Sequence, residues 1–262
     1  MTDLVLRADE GGIATLTLNR ADKRNALNLA LWAELDAHIS NLAAAGDAIG
    51  AVILRANGPV FCAGNDLKER GVEAPRPHYQ ASIVTRLAEL PQPVIVAVQG
   101  GCFTGGLELA LTGDIIIAAE SAHFADTHGK FGLVPIWGMS QRLPRRVGEW
   151  KAREMSFTGL PVDGHEAARI GLANHCVADE RLDLVARTLA EAIAAQSRHS
   201  VLAYKRLYRE QADLPLAAGL AHEVFNSAGV APDVAERVAR QFCRARDGGF
   251  GVGNRTAAIA DL

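Results

Sequence analysis

Three short apolar segments constrain the fold of this 262-residue chain more than any other feature. Residues 51–56, 93–98 and 115–119 read AVILRA, PVIVAV and IIIAA, so each is rich in β-branched or small apolar side chains. Strands that are buried on both faces show such continuous runs, whereas half-exposed strands alternate between apolar and polar residues. The segments therefore predict buried strands, in a chain whose hydrophobic content of 49% suffices for a large core.

Helical patterns lie between these strands. Apolar residues recur at helical spacing over 28–45, and Gly46 follows where a C-terminal cap is expected. A second helix is predicted at about 80–90. The first twenty residues instead predict a hairpin of two strands that turns at Gly11–Gly12. Because strands alternate with helices, we expect an α/β core with substantial parallel pairing.

The last part of the chain has a different character. From residue 149 onward helical patterns dominate, and one further strand is predicted at 173–177. The final helices are expected to be separated near three residues: Arg198, Pro215 and Pro232. We therefore divide the chain into an α/β core, 1–196, and a C-terminal helical region, 197–262. Its end, 247–262, contains four glycines and no apolar periodicity, which predicts a surface-lying tail.

Composition excludes several classes of function. The net charge is −3 and the 27 basic residues are scattered, which argues against nucleic acid as a partner. The apolar runs fall far short of the ~20 residues needed to cross a bilayer, and the N-terminus lacks a secretory segment, so we expect a cytosolic protein. The four cysteines form no CxxC pair, so we expect buried reduced thiols, no metal site and no redox cofactor.

A glycine-rich segment at 100–108, GGCFTGGLE, is the first candidate for chemistry. It follows a buried strand and opens a helix, where unpaired main-chain N–H groups form an anion site, with Gly105 and Gly106 as the best donors. Glu108 lies one helical turn further on, so its carboxylate is expected on the same side. Its apolar neighbours favour a buried general acid or base, while a chemically silent capping glutamate is the alternative.

A second glycine turn, FCAGNDLK at 61–68, follows another predicted strand, and two such turns can each give one N–H to an oxyanion hole. Together with NRADKRNALN at 19–28, the two turns closely resemble the enoyl-CoA hydratase/isomerase (crotonase) superfamily. By that resemblance, the N–H groups of Asn65 and Gly105 would hold a thioester oxygen. The residues expected to bind the acyl-CoA substrate are Lys23, Arg24, Ala26, Ala63, Asp66, Leu67, Lys68 and Trp137.

The resemblance covers nearly the whole chain, and it implies a fold, an assembly and a substrate as well as a site. The implied fold is a superhelix of β-β-α turns followed by a C-terminal helical region that assembles trimers, often paired into hexamers. The implied substrate is an acyl-CoA thioester. Coenzyme A would enter as part of the substrate, so no separate cofactor is implied.

The chain departs from the family pattern at one position. Hydratases of the family use two glutamates on the bound water, and Glu108 matches the first of them. The second is expected twenty residues later, where this chain has His128, and the nearest carboxylate is Asp126. Histidine can hold or deliver a proton near neutral pH, so a glutamate and histidine pair is chemically competent. A histidine that lines the pocket without transferring a proton is the alternative.

Three functions therefore stay open. The leading hypothesis is addition of water to a 2-enoyl-CoA, with Glu108 and His128 as catalytic residues. The second is double-bond isomerisation, or hydrolysis of an acyl-CoA, that uses Glu108 alone. The third is an acyl-CoA-binding protein without turnover.

Overall fold

A computed structural model of the protein describes residues 3–69 and 72–246, and the predicted tail at 247–262 lies outside the described residues. The strands are β1 (Val5–Glu10), β2 (Ile13–Leu18), β3 (Ala51–Ala56), β4 (Val94–Val98), β5 (Gly101–Phe103), β6 (Ile115–Ala119), β7 (His123–Ala125), β8 (Val162–Asp163) and β9 (His175–Val177). The helices are α1 (Leu29–Ala43), α2 (Tyr79–Ala88), α3 (Gly105–Ala110), α4 (Met139–Val147), α5 (Glu149–Thr158), α6 (Gly164–Arg169), α7 (Leu182–Ala194), α8 (Arg198–Gln211), α9 (Leu216–Phe225) and α10 (Val234–Arg246).

The larger of two sheets has six strands in the order β1-β2-β3-β4-β6-β9. Strands β1 and β2 form the predicted antiparallel hairpin, and Gly11 and Gly12 take positive φ angles of 59° and 75° at its turn. All other neighbours in this sheet pair in parallel, as the alternation of strands and helices predicts. The three continuous apolar segments become β3, β4 and β6, next to one another at the centre of the sheet.

Each central strand is buried on both faces, which explains its uninterrupted apolar sequence. In β3, Val52 and Leu54 join the cluster that contains the inner side chains of α1 and α2. Ala51 and Ile53 point the other way and pack with residues of α7. The side chains of a strand alternate between its two faces, so a single apolar run supplies both layers of the core.

A second, smaller ladder runs beside the main sheet. It consists of the three-stranded sheet β5-β7-β8 and of two isolated parallel bridges, which join Leu27 to Asn65 and Cys62 to Cys102. After each of β2, β3 and β4 the chain thus makes a short extended contact with its neighbour and then enters a helix. This repeat is the expected superhelix of β-β-α turns.

One local expectation is wrong. Helix α1 ends at Ala43 with Ala44 as its C-cap, and Gly46 instead begins a short 3₁₀ turn. The sequence also gives no sign of strands β5, β7 and β8, because strands of two or three residues are too short to show a periodicity. The predicted strand at 173–177 is present as β9.

The C-terminal helices α8, α9 and α10 are separated at the predicted positions. Lys205 of α8 connects them to the core, because its Nζ lies 2.7 Å from Asp114 Oδ2 and donates to the carbonyl of Gln92. None of the side chains of α8 and α9, all of which the structure describes, is fully buried. Within residues 3–69 and 72–246, no helix combines the length and the apolar character that crossing a bilayer requires.

Candidate functional site

The two glycine turns are held together by main-chain hydrogen bonds. Cys62 N–H donates to the carbonyl of Gly101, and Phe103 N–H donates to the carbonyl of Cys62, each over 3.0 Å. These bonds place the end of one turn beside the start of α3. The relative position of the turns is therefore fixed by the backbone.

The main-chain N–H groups of Asn65 and Gly105 lie side by side. A Cβ added to Gly105 would come 3.4 Å from the nitrogen of Asn65, so the two nitrogens are within about 6 Å of each other. One oxygen atom at hydrogen-bonding distance from both can span that separation. Neither N–H donates to another group of the described chain. Gly106, the other donor considered, packs instead on Cys62, whose carbonyl oxygen lies 2.5 Å from the place of its missing Cβ.

Thr104 bends the backbone between β5 and α3. It is a non-glycine residue with φ 52°, a conformation that is uncommon outside glycine. Its N–H donates to the carbonyl of Ala125, and its hydroxyl is hydrogen-bonded to that of Thr127. These contacts hold the strained turn, which brings Gly105 to the cavity described below.

Glu108 is 1% exposed, as its apolar sequence neighbours predict. Its Oε1 accepts hydrogen bonds from the main-chain N–H groups of Trp137 (2.9 Å) and Met139 (3.2 Å). Burial raises the pKa of Glu108 more than these bonds and nearby His128 lower it. The carboxyl group is thus set to hold a proton at a higher pH than an exposed glutamate, which suits an acid or base.

His128 lies against Glu108, with its Nε2 3.7 Å from Oε2 of the glutamate. On the other side of the ring, Nδ1 lies 2.6 Å from Oδ1 of Asp126. The three side chains form a continuous row in which none is more than 10% exposed. Sequence reasoning noted Asp126 only as a carboxylate displaced from the family position, and it missed this contact.

These groups surround a cavity of about 180 Å³. Seven of the predicted site residues line it: Ala63, Asn65, Leu67, Gly105, Glu108, His128 and Trp137. The Trp137 ring lies over Gly105 and makes an edge-to-face contact with Trp32 at a centroid distance of 5.1 Å. Phe131, Val134 and Ile136 complete an apolar wall.

Five predicted substrate-binding residues lie outside this lining: Lys23, Arg24, Ala26, Asp66 and Lys68. They lie on the two turns beside it, which are joined because Ala63 N–H donates to the carbonyl of Arg24 over 3.0 Å. Lys23, Arg24 and Lys68 are exposed. The carboxylate of Asp66 instead faces the protein.

Arg20 joins the same two turns and was missed by sequence reasoning. Its Nη1 donates to Asp66 Oδ2 over 2.6 Å and to the carbonyl of Ala26 over 2.9 Å. The hydrogen bond from Arg20 is the main cause that lowers the pKa of Asp66. An arginine in a polar turn resembles any surface charge, so the sequence gives no signal for this role.

A second cavity, of about 580 Å³, lies on the other side of His128. It shares His128, Leu133 and Val134 with the first cavity and is also lined by Asp126 and Ser156. His128 is thus part of the wall between the two.

The buried cysteines show no sign of reactivity. Cys62 and Cys102 are free thiols with no exposed surface. Burial raises the pKa of Cys62 to about 12, so the thiolate is hardly populated at neutral pH.

Comparison with known proteins agrees with the fold and shows the family. Residues 8–236 match the family model described as Enoyl-CoA hydratase/isomerase. An Arabidopsis thaliana protein named "Probable enoyl-CoA hydratase 1, peroxisomal" is 34% identical over 83% of each chain. The 1,2-epoxyphenylacetyl-CoA isomerase of Escherichia coli is 38% identical over 75% of this chain and 78% of its own. The crystal structure of enoyl-CoA hydratase from Bacillus anthracis aligns with a TM-score of 0.85 and 31% identity, covering 92% of this chain and 96% of that one.

An α/β superhelix with a cavity of this composition defines a crotonase-type enzyme. The chain belongs to the enoyl-CoA hydratase/isomerase family.

Proposed function

We propose that the protein adds water to the double bond of a 2-enoyl-CoA thioester. The observation that carries the proposal is the convergence on one cavity of two unpaired main-chain N–H groups, from Asn65 and Gly105, with the side chains of Glu108 and His128. The N–H pair would stabilise the enolate oxygen that forms when water attacks Cβ. Glu108 and His128 would handle the protons of the water and of Cα.

The turns beside the cavity support the coenzyme A part of the proposal. Lys23, Arg24 and Lys68 are exposed cations on neighbouring turns, where they are able to contact the coenzyme phosphates. Coenzyme A enters as part of the substrate, and the chemistry uses no separate cofactor. The reaction would take place in the cytosol.

The test is the loss of the conjugated-thioester absorbance when crotonyl-CoA is mixed with the protein. We expect turnover, and we expect Glu108→Gln and His128→Gln each to reduce it by roughly 10²–10⁴-fold. Lys68→Ala is the matched control for the binding part and should raise KM while leaving kcat nearly unchanged. Absence of turnover with both short- and medium-chain enoyl-CoA would refute hydration. Tight acyl-CoA binding that is unaffected by Glu108→Gln would then select a non-catalytic binding protein.

Double-bond isomerisation is the second candidate, favoured by the family description, Enoyl-CoA hydratase/isomerase, and by the buried carboxyl of Glu108. A single acid or base moves a proton between two carbons of a 3-enoyl-CoA, so this reaction needs Glu108 alone. Product analysis with a 3-enoyl-CoA distinguishes the two reactions. If isomerisation is the reaction, it will survive His128→Gln.

The C-terminal helices support assembly into a homotrimer. Their exposed apolar side chains include Tyr208, Leu216, Val224 and Phe225, each more than 70% exposed in a single chain. Apolar surface of this extent in a folded protein marks an interface. Light scattering after size exclusion should give three chains, or six if trimers pair, and a monomer would refute the proposal.

A further inference from the structure

In the row of Asp126, His128 and Glu108, the contacts of Asp126 fix the His128 ring more firmly than a pocket wall requires. Oδ1 of Asp126 contacts His128 twice: it accepts from the main-chain N–H over 3.2 Å and lies 2.6 Å from ring atom Nδ1. Two contacts from one oxygen fix the ring in position and orientation. The far ring atom, Nε2, is thereby directed at Glu108.

The ionisation of Asp126 decides which ring nitrogen carries the proton. Burial raises the pKa of Asp126, but hydrogen bonds from the side chains of His128 and Ser156 outweigh burial and lower it overall. An ionised carboxylate only accepts hydrogen bonds, so Nδ1 must be the protonated nitrogen. In the neutral imidazole, Nε2 then has a free lone pair on the side of the cavity.

Glu108 is suited to donate a proton, whereas Nε2 of His128 is suited to accept one. Its Oε1 is occupied by two main-chain donors, while Oε2 lies 3.7 Å from His128 Nε2. That separation is too long for a direct hydrogen bond, and it allows one water oxygen to lie about 2.8 Å from both atoms. Burial favours the protonated form of Glu108.

We propose that Asp126 is a positioning residue that holds His128 with its proton on Nδ1, so that Nε2 is the base for water and Glu108 is the acid for Cα. This inference rests on the proposed hydration and divides its two roles between the two side chains. Asp126 would act through His128 without touching the substrate. Its charge would also stabilise the positive charge that the imidazole gains, as the aspartate does in other Asp-His pairs.

With this assignment, every proton of the reaction is supplied or accepted by the water, His128 or Glu108. The water oxygen bonds to Cβ, its proton passes to Nε2 of His128, and the electron pair of the double bond moves into the enolate. The enolate then collapses and takes the proton of Glu108 at Cα. This leaves an imidazolium beside a carboxylate, and the next water that lies between Nε2 and Oε2 accepts a proton from Nε2 and gives one to Oε2, which restores both groups. One water is consumed and one 3-hydroxyacyl-CoA is formed.

Other charged groups around His128 are accounted for. Lys130 lies on the same 3₁₀ turn, and Arg142 of α4 is near Glu108 and donates to the carbonyl of Trp137. On α5, Arg153 and Glu149 line the second cavity as an ion pair with each other. Among the carboxylates of the described chain, Asp126 and Glu108 are the two with an oxygen within 4 Å of a ring nitrogen of His128.

The kinetic test compares three substitutions in the full-length protein with crotonyl-CoA: Asp126→Asn, His128→Gln and the two combined. Asp126→Asn should lower kcat by roughly 10²–10⁴-fold with little change in KM, and it should alter the pH profile of kcat on the limb that reports the base. The combined variant should be no slower than His128→Gln alone, because Asp126 acts only through the histidine. Ser156→Ala is the matched control, since it removes a different hydrogen bond from the same carboxylate, and it should lose less than about fivefold.

Losses that multiply in the combined variant would overturn the inference, and so would a raised KM with unchanged kcat in Asp126→Asn. A second measurement does not depend on turnover, and it observes the original chain, with a variant needed only to assign the signal. Long-range ¹H–¹⁵N correlation of ¹⁵N-histidine-labelled protein, with His128 assigned by comparison with His128→Gln, should show a protonated Nδ1 and a bare Nε2. The opposite tautomer refutes the role of Asp126 even if hydration is confirmed. If the protein does not hydrate any enoyl-CoA but this tautomer is found, the proposed reaction is wrong and the contact of Asp126 with His128 still fixes the tautomer.

Discussion

Substituting Gly105 by alanine tests the packing that brings the two N–H groups together. The new Cβ would lie 2.4 Å from Cζ3 of Trp137, while carbon atoms in ordinary contact are about 3.5–4.0 Å apart. The ring and the turn must therefore separate by about 1 Å. The same tryptophan donates its main-chain N–H to Glu108, so the displacement reaches the carboxyl group as well.

The expected cost follows from these contacts. Overpacking of a buried site costs about 1–3 kcal/mol of unfolding free energy, and each kcal/mol lowers Tm by roughly 2–4 °C in a protein of this size. The shifted Gly105 N–H should also slow hydration by roughly 10²–10³-fold. Urea unfolding at a fixed protein concentration measures the first effect, because association of chains would otherwise change the apparent stability.

A double-mutant cycle shows whether Trp137 causes the loss. In a Trp137→Leu background the obstructing ring atom is absent, so Gly105→Ala should cost at least 1 kcal/mol less than it does in the original chain. Gly129→Ala is the control, because no atom lies within 4 Å of its added Cβ, and it should leave stability nearly unchanged. If the two substitutions add within about 0.5 kcal/mol, the reasoning is refuted.

Three further outcomes are expected. Burial raises the pKa of Glu108, so between the pKa of the unfolded chain and that of the folded protein, the folded protein binds more protons than the unfolded chain. The free energy of unfolding therefore falls as pH rises through the folded pKa. The side chain of Glu108→Gln does not titrate, so this variant should gain stability relative to the original chain between pH 5 and 8 in urea unfolding. Arg20→Ala should cost about 1–3 kcal/mol at pH 7 and less near pH 3, where the stability that depends on the lowered pKa of Asp66 is lost anyway, while Arg24→Ala should cost little. Cys62 should not react with iodoacetamide at pH 8 until the protein unfolds, as mass mapping would show.

The central strands could be predicted because burial on both faces leaves a continuous apolar sequence. The hairpin turn was also predictable, since two successive positive φ angles require glycine at Gly11 and Gly12. The end of α1 was misplaced, because Ala44 closes the helix without a left-handed residue and Gly46 serves the next turn. Strand β5 is a product of tertiary pairing, as its sequence of glycine, cysteine and phenylalanine has no strand pattern of its own.

The site was predicted unevenly. The burial of Glu108 followed from its apolar neighbours. The closeness of Asn65 and Gly105 was expected from the resemblance to a family, since forty residues separate them and no local pattern links them. The contact of Asp126 with His128 depends on the turn after β7, where a separation of two residues brings the carboxylate beside Nδ1 of the ring. Sequence spacing alone does not show that such a turn is present.

The bridges between Cys62 and Cys102 and between Leu27 and Asn65 have an evolutionary consequence. The groups that would activate the thioester belong to the peptide backbone, and other backbone groups keep them in place, so most side-chain substitutions leave them untouched. A substitution at position 128, whose side chain lines the cavity, would change the proton transfer and leave the two N–H groups in place. The family description, Enoyl-CoA hydratase/isomerase, names two reactions, as such a division between backbone and side chains would allow.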